Sequence, residues 1–197
     1  MTLLHAIVRY DPPLDVVAHM IEICPEMPAA KDCLDRTPLH VAAGSGCPAS
    51  LLNTIARAHP AACDAIDEEG KTPLHFVCDS SCVLFDEDLD NDENGGTPRQ
   101  PPNHDAVSAL LSHSFHAATL EDDEGMSPLE HVIMSNASME TVKLLQSATK
   151  AGMQLKNEVL QSFIAAAKRV DVSIPSSHTS SRPTKMIRRV TLNEFFV

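Results

Sequence analysis

Tryptophan is absent from this chain of 197 residues, tyrosine occurs once and phenylalanine six times. So few rings exclude a large aromatic-lined pocket. No apolar run approaches the roughly twenty residues of a membrane-spanning helix. The opening segment, MTLLHAIVRYDPP, has too short an apolar stretch for a signal peptide. These absences predict an intracellular protein, cytoplasmic or nuclear, with no membrane partner.

Catalytic signatures are missing as well. There is no G-x-S-x-G, no H-E-x-x-H and no G-x-x-x-x-G-K-[ST]. AGSGCPA reads G-x-G-x-x-A at Gly44, Gly46 and Ala49. A dinucleotide fingerprint must follow a strand and open a helix, whereas this one closes a helix. Outside the repeated motif described below, His59, His104, His113, His116 and His178 stand in no nucleophile-base pattern. The chain therefore reads as a non-enzyme that needs no cofactor.

Charge is unevenly spread. Residues 168–197 hold six Lys or Arg against two Asp or Glu, a balance of +4, and residues 1–167 hold nine against 25, a balance of −16. A body this acidic does not grip phosphate, so nucleic acid is not an expected partner. The six cysteines (Cys24, Cys33, Cys47, Cys63, Cys78 and Cys82) follow no disulfide framework. Cys78 and Cys82 follow His75, but no second pair stands at zinc-finger spacing, so no metal site is expected there.

What is present is repetition. TLLHAIVRYD starts at Thr2, TPLHVAAGSG at Thr37, TPLHFVCDSS at Thr72 and SPLEHVIMSN at Ser127. The first two intervals are 35 residues, and the third is 55, which returns to 35 once a 20-residue insertion is removed. The polar turns DCLDR, DEEGK and DDEGM precede the last three starts. A second apolar segment follows each start in register: Val17 and Met20, Leu52 and Ile55, Val107 and Leu110, Val142 and Leu145. Thr or Ser suits an N-cap, and Pro38, Pro73 and Pro128 suit the first helical position. Leu39, Leu74 and Leu129 start the apolar face. Each unit thus predicts two short helices, and neither buries its face without a neighbouring unit.

T-P-L-H followed by small apolar residues, at a period near 33, resembles the ankyrin repeat. The resemblance covers about residues 2–150 and is strongest at Thr37, Pro38, Leu39 and His40. Thr72, Pro73, Leu74 and His75 repeat it, as do Ser127, Pro128 and Leu129. It departs at Leu3, where Pro belongs, at Glu130, where His belongs, and at Asp35, where the turn Gly belongs. The implied fold is all-α: an ankyrin-repeat solenoid of helix-turn-helix units with short β-hairpin-like turns. The units are about 2–36, 37–71, 72–126 (insertion about 80–104) and 127–152. The apolar face Leu155, Val159, Leu160, Phe163, Ile164 and Ala167 predicts a C-terminal capping helix over about 155–169. Residues 170–197 read as a flexible basic tail. The first unit begins at Thr2 with no unit before it, so its outer side is expected to show apolar groups and to associate with another surface.

The resemblance implies a protein-protein interaction module that binds through turn tips and first-helix ends. Carried over by position, the partner-binding candidates are Arg9, Tyr10, Asp35, Arg36, Ser45, Asp67, Glu68, Glu69, Lys71, Asp79, Asp122, Asp123, Glu124 and Met126. With Asp32 and Glu121, the tip acids make a row suited to another protein's basic segment. The chain's own basic tail is a second candidate for that row. The alternative is a calcium- or phosphorylation-responsive regulator. DNDENG puts Asp90, Asp92 and Asn94 at EF-hand spacing, but Pro101 stands where the bidentate Glu belongs. Arg188 and Arg189 precede Thr191 in the manner of a basophilic kinase site.

Overall fold

The computed structural model describes residues 1–80 and 101–170, with the side chains of 166–170 excepted. The chain divides into two units, Met1–Val159 and Leu160–Val197. Among the described residues, seven α-helices and most of an eighth belong to the first: α1 Leu3–Val8, α2 Leu14–Ile23, α3 Pro38–Gly44, α4 Ala49–Ala58, α5 Pro73–Cys78, α6 His104–Leu111, α7 Pro128–Met134 and α8 Met139–Val170. Of the second unit, the structure describes the closing residues of α8. Among the described residues there is no strand, and no helix is long and apolar enough to cross a membrane.

Local chemistry explains the starts. Thr2, Thr37, Thr72 and Ser127 are N-caps in extended backbone. In each, the side chain three residues on reaches back to the cap amide: His5 at 3.1 Å, His40 at 3.0 Å, His75 at 3.0 Å and Glu130 at 2.7 Å. This is a capping box in which histidine stands in for the usual Glu three times. The left-handed backbone recurs with the same period. Asp35, Gly70 and Gly125 turn at φ 58°, 72° and 75°, while Asp11, Gly46 and Asn136 turn at 45°, 71° and 52°. Asp and Asn tolerate this region best after Gly, so the substitution of Asp35 for the turn glycine is accommodated.

The helices stack in two rows. α1, α3, α5 and α7 pack in series, and α2, α4 and α6 make the second series. The core runs between the rows through Leu4, Leu39 and Leu74, and through Val17, Leu52 and Val107. Ile55, Leu110 and Leu145 are buried at one register position. Each such side chain contributes roughly 1.5–3 kcal/mol. At the ends of the stack the same register positions open. Leu3 is 61% and Val16 42% exposed, where Pro38 and Leu51 are buried. Ile133 is 57% exposed, where Val8, Ala43 and Cys78 are buried. The outer side of the first unit thus shows the apolar groups expected of it.

Two expectations are corrected. The helix predicted over 155–169 does not exist separately, because the second helix of the fourth unit runs without a break from Met139 to Val170. Nothing in its sequence stops it: it has no Pro, and one Gly, Gly152, lies in its interior. Its early face is used, with Thr141, Leu145 and Ala148 buried. Gly152 lies so close to Thr119 and Phe115 that a Cβ there would meet the Thr119 methyl at 2.6 Å. Beyond it, Leu155, Val159, Leu160, Phe163 and Ile164 are exposed among the described residues, Phe163 by 68%. The β-hairpin-like turns, secondly, contain no strand. Each is closed by two backbone bonds: the amides of Asp32, Asp67 and Asp122 donate to the carbonyls of Arg36, Lys71 and Met126, and the amides of Asp35, Gly70 and Gly125 donate back to the carbonyls of Asp32, Asp67 and Asp122.

Candidate partner-binding surface

The three turns form one connected edge. The Glu68 amide donates to the Leu34 carbonyl at 3.1 Å, and the Asp123 amide donates to the Glu69 carbonyl at 3.0 Å. Each turn is built by its first aspartate. Asp32 Oδ1 accepts the amides of Leu34 and Arg36, Asp67 Oδ1 those of Glu69 and Lys71, and Asp122 Oδ1 those of Glu124 and Met126. These are Asx turns, in which a carboxylate replaces the backbone carbonyl that would close the loop.

This geometry sorts the candidate residues. Asp67 and Asp122 are buried, and their oxygens serve the turn rather than a partner. Burial acts to raise the Asp122 pKa, but the His131 and backbone hydrogen bonds outweigh it and hold the carboxyl below the usual range. At Asp67 the burial wins and the pKa is raised. The Arg36 guanidinium folds onto Asp32, with Nε at 3.0 Å and Nη2 at 2.8 Å from Oδ2. Lys71 Nζ meets Glu69 Oε2 at 3.0 Å and is mostly covered. Asp79 lies against the His131 ring, with Oδ2 at 3.6 Å from Nδ1. Asp67, Asp122, Arg36, Lys71 and Asp79 are each engaged by the protein's own groups. Met126 is half-buried and offers its carbonyl to His75 at 3.2 Å.

What faces outward is Asp35, Glu68, Glu69, Asp123 and Glu124 along the tips, with Glu121 beside them. Leu34 and Ile66 are exposed among these acids. At the first-helix ends, Tyr10 and Met134 are exposed, and Arg9 stacks on the Tyr10 ring at 5.5 Å from its centroid. Ser45 is half-buried, and Ser135 Oγ accepts the Ser80 amide at 2.9 Å. The surface is acidic with isolated apolar side chains.

The motif residues lie inside. Thr37, Pro38, Leu39, His40, Thr72, Pro73, Leu74, His75 and Pro128 are buried, while Ser127 and Leu129 are half-buried. Besides capping its own helix, each histidine reaches the next turn. His5 Nε2 meets the Arg36 carbonyl at 2.9 Å, His40 Nε2 that of Lys71 at 3.1 Å and His75 Nε2 that of Met126 at 3.2 Å. A carbonyl only accepts, so Nε2 carries the proton and the ring is neutral. Burial lowers the pKa of His40 and of His75 to about 4, against the raising effect of these bonds. Glu130 completes the cap of α7 but has no second ring nitrogen to extend.

Sequence reasoning missed His131, whose Nε2 lies 2.8 Å from Asp122 Oδ2. Its signal was there: a histidine at the register position that Val41 and Phe76 hold in the two units before it. Also missed were two ties from the segment after α6, Ser114 Oγ to Asp64 at 2.6 Å and His113 Nε2 to Asn53 of α4 at 2.6 Å. Burial pushes the Cys47 and Cys63 thiols up to about 12, which keeps them protonated. Among the described residues, no group of three or more His, Cys, Asp or Glu could hold a metal ion. Asp90, Asp92, Asn94, Cys82 and Thr191 lie outside the described residues. In comparisons with known proteins, the chain matches no family model and none of the curated proteins.

Proposed function

We propose that the chain is an ankyrin-type array that works as a protein-protein interaction module inside the cell and carries no catalytic activity. Its partner is a protein with a basic segment. The observation that carries this reading is the exposed acidic edge. Asp35, Glu68, Glu69, Asp123 and Glu124 stand on three turns whose backbones are hydrogen-bonded to one another, so the backbone positions that carry these charges are held at fixed spacing. Turns fixed in this way lose less backbone freedom on binding than a mobile acidic stretch does. The 35-residue recurrence of cap, left-handed turn and buried leucine supports the array.

The test uses a fluorescent peptide of alternating lysine and leucine, with a serine-leucine peptide as control. Reversing Glu68, Glu69, Asp123 and Glu124 to Lys is expected to weaken binding of the basic peptide at least tenfold. Raising salt from 50 to 300 mM is expected to weaken it in the parent chain as well. Equal affinity of parent and variant, or binding indifferent to salt, overturns the reading.

A further inference from the structure

His131 is 7% exposed and sits between two carboxylates from different elements. Nε2 is 2.8 Å from Oδ2 of Asp122, in the turn before α7. Nδ1 is 3.6 Å from Oδ2 of Asp79, at the end of α5. The His75 ring stands edge-on to it, with centroids 5.7 Å apart. From its own helix the nearby charge is Glu130, which is exposed and bound to Ser127. The stack itself does not ask for an imidazole here, since Val41 and Phe76 fill the same register position as buried apolar groups.

Counting donors shows what the arrangement does. An ionised carboxylate only accepts, and a neutral imidazole has one N–H. That hydrogen is committed to Asp122 Oδ2 at 2.8 Å. The neutral ring then turns a lone pair toward Asp79, which repels its carboxylate. A doubly protonated ring has a second N–H on Nδ1 and attracts both carboxylates. Histidine is the side chain whose charge ordinarily changes between about pH 5 and 8.

We propose that His131 is a proton-operated clasp between the third and fourth units. In its charged form it bridges Asp122 and Asp79 and holds the end of α5 against α7. In its neutral form it keeps Asp122 and loses its hold on Asp79. The held segment ends at Ser80, after which the sequence enters the acidic insertion. The clasp thus governs how firmly the root of that insertion is tied to the fourth unit. The inference does not depend on the partner proposed above.

The Ser80 amide reports the state of the clasp, because it donates across the same junction to Ser135 Oγ. Hydrogen exchange on the full chain, expressed as protection relative to each residue's free rate, is compared at pH 5.5 and pH 8. Ser80 is expected to be at least fivefold more protected at pH 5.5. The Ser45 amide, bound to the Val41 carbonyl in the second unit, is the reference and is expected not to gain. The buried histidines of units 1–3 weaken the stack in acid, so a merely structural His131 gives Ser80 no such rise. His131→Phe is expected to abolish the rise at pH 5.5. Asp79→Asn, which preserves the fold more surely, is expected to do the same, since an amide can meet either form of the ring. Equal or lower Ser80 protection at pH 5.5 in the parent overturns the proposal. So does a rise at pH 5.5 that survives in either variant.

Discussion

His40 Nε2 donates to the carbonyl of Lys71 at 3.1 Å, and this bond joins the second helical unit to the third. The same ring caps its own helix, since Nδ1 accepts the Thr37 amide at 3.0 Å. One neutral imidazole therefore satisfies two backbone groups 34 residues apart, Thr37 and Lys71.

Acid must break this device, because protonating Nδ1 destroys the acceptor. The folded pKa of His40 and of His75 is lowered to about 4 by burial, against an unfolded value of 6.5. Between those values the unfolded chain binds more protons, so stability rises with pH through the window. It is complete above pH 6.5 and falls progressively down to pH 4. From pH 7 to pH 5 the expected loss is on the order of 2 kcal/mol for each of the two histidines. Asp32 and Asp122, whose pKa values are lowered from 3.8, act below this window. Urea unfolding at the two pH values measures the loss, and an unchanged midpoint contradicts it.

Gly70 and Gly125 have nearly the same backbone, at φ 72° and 75°, but different neighbours. A Cβ on Gly70 would meet Asp123 Oδ1 at 2.7 Å and its amide nitrogen at 3.0 Å, whereas one on Gly125 would meet nothing within 4 Å. Gly125→Ala is expected to cost only the left-handed strain of alanine, roughly 1–2 kcal/mol. Gly70→Ala adds displacement of the neighbouring turn, and its cost is expected to be roughly twice as large. Thermal unfolding of the two variants gives the ranking, and equal losses would show that the turns are not in close contact.

Much of this was legible in the sequence, and the reason is periodicity. A unit that cannot fold alone must repeat its caps, turns and apolar positions, so Thr37, Thr72 and Ser127 announced their helices by spacing alone. Asp35 could be read as a left-handed residue because Gly70 and Gly125 share its register. What could not be read was the direction of a side chain. Asp122 and Asp123 are adjacent acids in one turn, yet one is buried and the other exposed. Composition treats them alike; only the closure of the loop separates them. The length of α8 was misjudged for a related reason. An apolar stripe at helical spacing signals a helix, but it does not say whether a core lies beneath it.

That distinction is measurable along α8. Leu145 is fully buried, while Leu155 and Phe163 lie on the exposed stripe. Leu145→Ala is expected to cost roughly 2–5 kcal/mol through lost burial and a cavity. Leu155→Ser and Phe163→Ser are expected to stay within about 0.5 kcal/mol of the parent, as surface changes do. Losses above about 2 kcal/mol at Leu155 or Phe163, read from denaturant midpoints, would show that the stripe covers a core after all.

The pair Asp122 and Asp123 separates the turn-building acids from the outward-facing ones without changing the charge removed. Asp122→Ala leaves the Glu124 and Met126 amides without their acceptor and strips His131 of its partner at 2.8 Å. Each orphaned buried group costs about 1–3 kcal/mol, so the turn is expected to lose roughly 3 kcal/mol or more. Asp123→Ala removes an exposed carboxylate, and what holds its turn in place is the backbone amide that donates to Glu69, which alanine keeps. Its stability is expected to stay within about 0.5 kcal/mol of the parent. Binding of a basic peptide reverses the ranking. After both variants are assayed at a temperature where each is folded, Asp123→Ala should weaken binding and Asp122→Ala should leave it near the parent, because the Asp122 oxygens already serve the protein's own groups. If the two variants lose stability equally, the division of the acidic edge into turn-building and outward-facing carboxylates is wrong.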